Sequence, residues 1–386
     1  MSSQRDAAMM ILGDLVGFPT VTSESNLPLI EYTAAVLEPL GADLRVTYDD
    51  TGLKANLLAT IGPATGGGVV LSGHSDVVPA EEPDWTGSPF LAMRRDQKIY
   101  GRGTADMKGF IACALAMAPV YAAEPLRRPV HIAVTFDEEV GCKGAPLLID
   151  DMVRNLPMPG VAIVGEPTGM RVITSHKGCY EYTTTITGLE GHGSAPGRAV
   201  NAVQFGARYV SRLMELAETL RLSPPPGSPY DPPQTTISVG RMHGGTARNV
   251  VAGECVIEWE MRPVRHEDVR LVLDDIAGFE AELTSKMQAV SPQAAIHTVT
   301  EGAVDGLEDV ASPAVDLTIS LLGAIETGVA AFGTEAGLYQ MGGIPAVVCG
   351  PGEIGVAHRP NEHLSLEQLE TCLEMMDALI GRLREE

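Results

Sequence analysis

Val69-Val70-Leu71-Ser72-Gly73-His74-Ser75-Asp76-Val77-Val78-Pro79 opens on an apolar run and ends in a polar cluster. Such a run reads as a strand buried in a sheet, with the cluster at its carboxyl end. Two later segments repeat the arrangement: Val130 to Phe136 leads into Asp137-Glu138-Glu139, and Val161-Ala162-Ile163-Val164 leads into Gly165-Glu166-Pro167-Thr168. Between them, Ala105 to Ala118 is apolar nearly all round, as a buried helix is. Strand–helix alternation predicts an α/β fold, a mixed sheet covered by helices. In such sheets ligands bind in the crevice at the carboxyl ends of the strands.

Near Gly178 the pattern changes. Tyr180 to Thr187 and Val256 to Arg262 read as strands, and in the second Ile257, Trp259 and Met261 alternate with Glu258, Glu260 and Arg262. Period-two alternation means one packed face and one polar face. Val269, Val272, Leu273, Ile276, Phe279 and Leu283 then follow at helical spacing, and the run from Ser223 to Pro233 is a Pro-rich loop. After about residue 305 the first pattern returns, with a strand at Pro345 to Cys349 and a last helix for which Ser365 and Gln368 make a capping box. The expected organisation is a larger α/β domain of residues 1–178 and 306–386 with an inserted α+β domain of residues 179–305.

The chain has 386 residues, enough for two cores, and a formal net charge of -23. Nucleic acid and anionic membrane surfaces are therefore not expected partners. No stretch reads as approaching the ~18 apolar residues of a membrane span. The six cysteines form no Cys-x-x-Cys pair, which fits free thiols in a reducing compartment, and a cytoplasmic protein is expected.

The chemistry-bearing residues cluster in five places. His74 and Asp76 stand two apart, so on an extended chain they point the same way. Taken alone, this pair reads first as a histidine capped by an aspartate in a turn. Asp106 opens the buried helix after a glycine-rich approach, Gly101-Arg102-Gly103, and an N-cap is its plain reading. Asp137-Glu138-Glu139 and Glu166 are carboxylates at strand ends, and Ala357-His358-Arg359-Pro360-Asn361-Glu362 follows a strand. Crowded carboxylates at a buried sheet end repel one another unless cations offset them. Two histidines with several carboxylates and no thiolate suit zinc or a similar divalent ion.

In these five ordered motifs, which span nearly the whole chain, the sequence resembles the zinc aminoacylase–carboxypeptidase family of metallohydrolases. The resemblance implies two zinc ions, replaceable by cobalt, with Asp106 bridging them, His74 and Glu166 completing one site, and Glu139 and His358 the other. It implies Glu138 as the general base, Asp76 as the partner that orients His74, and a cis peptide after Asp106. In the inserted domain, Glu190-Gly191-His192-Gly193-Ser194 resembles the histidine motif of the family's lid and dimerisation domain. His192 would stabilise the oxyanion in the partner subunit of a homodimer. Asn249 and Arg262 are the candidates to hold a substrate carboxylate.

Phe332-Gly333-Thr334-Glu335-Ala336 looks like the acetylornithine deacetylase version of the family, so Glu335 is expected either to meet a substrate ammonium or to be a helix-start carboxylate. The expected reaction is removal of the acetyl group from an N-acetylated amino acid, N2-acetyl-L-ornithine first. Desuccinylation of an N-succinyl amino acid, and a metallo-dipeptidase, are the alternatives.

Overall fold

Strands Val69–His74 and Val130–Thr135 are buried at every position, as is Val161–Val164. Their apolar continuity has a simple cause: helices cover both faces of the sheet they build, so neither face can be polar. The computed structural model describes residues 2–80, 83–308, 310–323 and 327–385. Contacts divide the chain into two compact units, one of Met1–Ser175, Asp309–Val329 and Thr334–Glu386, the other of His176–Glu308 and Ala330–Gly333.

The first unit holds an eight-stranded sheet in the order Asp43–Tyr48, Ala55–Ile61, Val130–Thr135, Val69–His74, Val161–Val164, Ala346–Val348, Val172–His176 and Thr327–Ala330. Four consecutive central strands, from Val130–Thr135 to Ala346–Val348, run parallel, while Asp43–Tyr48 on Ala55–Ile61, Ala55–Ile61 on Val130–Thr135 and Ala346–Val348 on Val172–His176 pair antiparallel. From Val69–His74 the chain moves to one neighbour, Val130–Thr135, and later to the other, Val161–Val164. This reversal makes the end of Val69–His74 a topological switch point, where α/β sheets place their crevices.

Helix Gly109–Ala123 crosses the core and is buried from Gly109 to Ala118 and again at Tyr121, as its all-round apolar composition requires. Two expectations are corrected here. The helix begins at Gly109, after Asp106, whose extended φ/ψ of −124°/95° lies outside any helix. The stretch Thr104–Ala123 is in fact long and apolar enough to cross a membrane by length and composition, but most of it is buried inside the protein, as the core helix of a folded domain is. The final helix, Leu366–Arg384, is capped as expected, with Ser365 Oγ accepting the Gln368 N–H. The Gln368 side chain does not close the box; it turns instead to the Gly352 N–H and to Glu353.

The second unit is a four-stranded antiparallel sheet in the order Thr236–Gly244, Glu254–Arg262, Cys179–Thr187, Ala295–Val304. Ile257, Trp259 and Met261 point into a core shared with helices Ala202–Leu222 and His266–Gln288, which supply Tyr209, Leu213, Val272 and Ile276. The Trp259 indole N–H donates to Thr184 Oγ1 at 3.1 Å, giving the buried ring its polar partner.

Candidate metal centre

Sheet register brings three of the predicted clusters together. His74 ends its strand opposite Thr135, so Asp137-Glu138-Glu139 begin two residues beyond the paired position. Ser72 pairs with Val164, which puts Glu166 just past the end of the neighbouring strand. Asp106 arrives by the Gly101–Gly103 turn. Gly103 has φ of 83°, and a Cβ there would lie 2.8 Å from Val77 Cγ1, so the turn needs glycine. The Asp106–Met107 peptide is cis.

The aspartate stands between the two histidines. Its Oδ1 is 3.0 Å from His74 Nε2, and its Oδ2 is 3.1 Å from His358 Nε2. His358 Nε2 also lies 3.0 Å from Glu139 Oε2. On the other side, His74 Nε2 is 3.8 Å from Glu166 Oε1 and 4.0 Å from Glu138 Oε2. His74 and Asp106 are almost fully buried, and Glu139 and Glu166 nearly so, whereas the His358 side chain is 49% exposed.

Burial and mutual repulsion dominate the electrostatics. Desolvation raises the carboxyls of Glu138, Glu139 and Glu166, the neighbouring carboxylates add to the rise, and the nearby histidines oppose it. Asp106 goes the other way. Burial would raise it, but hydrogen bonds to His358 and His74 together with their charges hold it well below the usual carboxylate range. His358 is raised to about 10, first by its hydrogen bonds to Asp106 and Glu139. For His74, burial lowers the pKa, and the Asp106 hydrogen bond with the Glu166, Glu138 and Asp76 charges more than reverses it. The centre draws positive charge toward itself.

Asp76 is placed differently from the expectation. His74 Nδ1 meets the Asp76 backbone carbonyl at 2.9 Å, while the carboxylate stands 3.7 Å away. The Asp76 carboxylate instead accepts the backbone N–H groups of Glu138 and Glu139, each at 3.1 Å. Cys142, buried behind the site, donates its S–H to Glu138 Oε1 at 3.6 Å. Asp137 pairs with Lys54.

Glu335 lies in the same unit but away from any open surface, at 1% exposure. Thr135 Oγ1 donates to its carboxylate at 2.6 Å, and Ser72 Oγ lies 3.4 Å from it. Desolvation raises it to about 7, against the hydrogen bond from Thr135. Of its two expected readings, substrate-ammonium contact or helix-start carboxylate, the second describes its place here, covered just before the helix Ala336–Met341.

The second unit carries the remaining candidates. His192 is exposed, and its Nδ1 accepts the Ser194 backbone N–H at 3.2 Å, so the neutral ring carries its proton on Nε2. Asn249 lies beside it, its carbonyl accepting the Gly193 N–H at 2.8 Å. Arg262 ends the strand Glu254–Arg262, about 26 Å of extended chain from the Glu254 end, and pairs with Glu260 at 2.8 Å. Within one chain Arg262 is therefore not brought to the His192–Asn249 corner.

The donor set fits divalent metal. His74, Asp106 and Glu139 form one group of ligand atoms within 4.8 Å of one another, and His74, Glu138 and Glu166 form a second. Glu166 Oε1 is buried with no hydrogen-bond partner among the described residues, which for a carboxylate oxygen calls for a cation. Two atoms bound tetrahedrally to one zinc at ~2.0–2.2 Å sit roughly 3.3–3.6 Å apart, so the 3.8 Å His74–Glu166 separation is within a few tenths of an ångström of that spacing. Three further residues lie in or beside these motifs without an expected role: Arg102, Lys108 and Glu362. Arg102 and Glu362 form an ion pair with both side chains 1% exposed, and Lys108 donates to the Leu15 and Phe18 carbonyls at 3.0 and 2.8 Å.

Known proteins resemble this chain in sequence and in fold. Residues 70–382 match Peptidase family M20/M25/M40. The chain is 34% identical over 384 residues to an acetylornithine deacetylase of Myxococcus xanthus, covering 96% of each. It is 32% identical over 374 residues to one of Klebsiella pneumoniae (strain 342), covering 95% of each. Among solved structures, aminopeptidase PepT of Bacillus cereus ATCC 10987 matches with a TM-score of 0.73 at 20% identity, over 99% of both chains. The Bacillus subtilis YXEP protein, a dinuclear metal-binding peptidase, matches with a TM-score of 0.68 at 15% identity, over 100% of this chain and 99% of that one. These two likenesses bear out the α/β fold, and the sequence matches bear out the family resemblance read from the five motifs. The chain belongs to Peptidase family M20/M25/M40 and is a metal-dependent hydrolase of the amidohydrolase and peptidase kind.

Proposed function

We propose that this hydrolase removes the acetyl group from an N-acetylated amino acid, N2-acetyl-L-ornithine before others, releasing acetate and ornithine. The observation that carries the amidohydrolase reading is Asp106, whose two oxygens face two different histidines with Glu138 alongside. His74, Asp106 and Glu166 would hold one divalent ion, and Asp106, Glu139 and His358 a second. Zinc is the ion proposed, with cobalt as substitute; when bound, the pair supplies Lewis acidity and a water that ionises near neutral pH.

The chain's own groups do the rest. Glu138 takes the proton of the attacking water and returns it to the leaving nitrogen, a task suited to a carboxyl raised by burial. The Asp76 carboxylate fixes the backbone from which Glu138 projects. His192, with its proton on Nε2, donates to the oxyanion from a second copy of the chain, so a homodimer through the second unit belongs to this reading. The substrate carboxylate would be held from two chains, by Asn249 beside His192 of the second copy and by Arg262 of the first. A cytoplasmic setting is part of the same proposal.

The preference for N2-acetyl-L-ornithine rests on the named relatives, because Glu335 is too buried to read a side-chain ammonium. Glu138→Gln tests the mechanism: turnover should fall ~10²–10⁴-fold with both ions retained. Near-wild-type turnover would remove Glu138 from its role. Assay of N-acetylornithine against N-succinyl-diaminopimelate and uncharged N-acetyl amino acids tests the substrate, and faster turnover of an uncharged one overturns the ornithine preference.

A further inference from the structure

Arg102 and Glu362 are both 1% exposed, in the first unit, and neither is a candidate ligand. A buried ion pair persists where its other hydrogen-bonding positions are also filled. Here the carboxylate's positions are filled in a particular way. Glu362 Oε2 takes the Arg102 Nη1 donor at 2.8 Å. Glu362 Oε1 accepts two backbone N–H groups, from Ala105 at 2.9 Å and from Asp106 at 3.1 Å. Asp106 is in extended conformation, so no helical carbonyl takes its N–H.

The same pair reaches two further segments. Arg102 Nη2 donates to the carbonyl of Pro79 at 3.1 Å, on the segment that follows His74 and Asp76. The Glu362 backbone carbonyl accepts the Gly101 N–H at 3.0 Å. Glu362 closes the loop that carries His358, a loop with two non-glycine residues at positive φ, His358 at 57° and Asn361 at 60°. Such residues hold that conformation only where their surroundings over-determine it. Asn361 is anchored, taking the Thr86 N–H at 2.9 Å and donating to the Asp84 carbonyl at 3.0 Å. Three segments bearing candidate ligands, 74–79, 102–106 and 358–362, therefore converge on one buried carboxylate–guanidinium pair.

We propose that Glu362 is a positioning residue: paired with Arg102, it sets the backbone of Asp106 and couples it to the loop of His358. The proposal rests on the dinuclear reading above. A carboxylate suits the task, since charge-assisted acceptors hold N–H donors more tightly than neutral ones. Partners behind the ligands typically change metal affinity or activity 10–100-fold when altered.

The test uses the full chain as wild type, Glu362→Gln and Arg102→Lys, stripped of metal and titrated with Zn²⁺ against a chromophoric chelator. Melting curves and kcat and KM on an N-acetyl amino acid are recorded alongside. Glu362→Gln keeps the size and one acceptor but turns an amide donor toward Arg102. The expected result is at least a 10-fold loss of affinity for one of two ions, and a fall in kcat at nearly constant KM. Unchanged zinc affinity in the variants, with or without a lower melting temperature, overturns the positioning role and leaves the dinuclear reading standing. Wild-type protein that binds no zinc overturns both. If Glu362→Gln does not fold, Arg102→Lys, which keeps the charge and loses the fork, decides by the same comparison.

Discussion

Asp76 Oδ1 accepts the backbone N–H of Glu138 at 3.1 Å, and its second oxygen does the same for Glu139. One carboxylate thereby sets both the proposed base and a proposed ligand, although it comes from the neighbouring strand. In Asp76→Asn one N–H would face an amide donor. Turnover is expected to fall about 10–100-fold with only a modest change in KM. In Asp76→Ala two buried N–H groups lose their acceptor, at roughly 1–3 kcal/mol each. Steady-state kinetics beside metal analysis and melting curves check both; an Asn variant with full metal and wild-type kcat would reduce Asp76 to a structural cap.

Much of this was legible because burial and chemistry coincide in the sequence. The apolar run Val69–Leu71 could only be a covered strand, and the polar residues that follow could only lie at its end. Alternation at Ile257, Trp259 and Met261 likewise reported a one-sided sheet. What stayed hidden depends on distance in three dimensions. The Asp76 carboxylate was expected at the His74 ring two residues back, yet its partners lie 62 and 63 residues away. Glu335 resembles a substrate contact in sequence, but its strand-end partners Thr135 and Ser72 are 200 and 263 residues distant. Nothing in local periodicity shows which face of a loop a carboxylate will take.

Gly165 offers a steric prediction. A Cβ there would fall 1.9 Å from Phe110 Cγ, and Phe110 is 1% exposed on the central helix. The ring has nowhere to move without displacing the core. Gly165→Ala is expected to cost about 3 kcal/mol, the upper part of the usual overpacking range. For a unit of this size that lowers the melting temperature by roughly 6–12 °C. Phe110→Leu in the same chain should restore part of the loss, because the two sites share one space. Full stability in the single variant would contradict the packing described.

Two buried histidines predict how stability responds to acid. Desolvation lowers His131 to about 4; its Nδ1 shares a 2.9 Å hydrogen bond with Thr60, and its Nε2 is buried without a partner among the described residues. His176, in the second unit, is lowered to about 4 by burial, against a backbone hydrogen bond with Lys177. Both are neutral when folded and titrate near 6.5 when unfolded. Between those values each of these two sites binds more protons when unfolded, so its own contribution to stability rises with pH across the window and is lost as pH falls from about 6.5 toward 4, while Glu335 in the first unit, raised to about 7, contributes with the opposite sign. Each histidine should remove about 2 kcal/mol by pH 5 relative to pH 8. Urea denaturation from pH 8 to 5, followed separately for each unit, measures the slope. His131→Leu should remove its share, about 2 kcal/mol between pH 8 and pH 5, from the first unit and leave the second unchanged. An equal slope in variant and wild type would mean that His131 does not titrate between the two states.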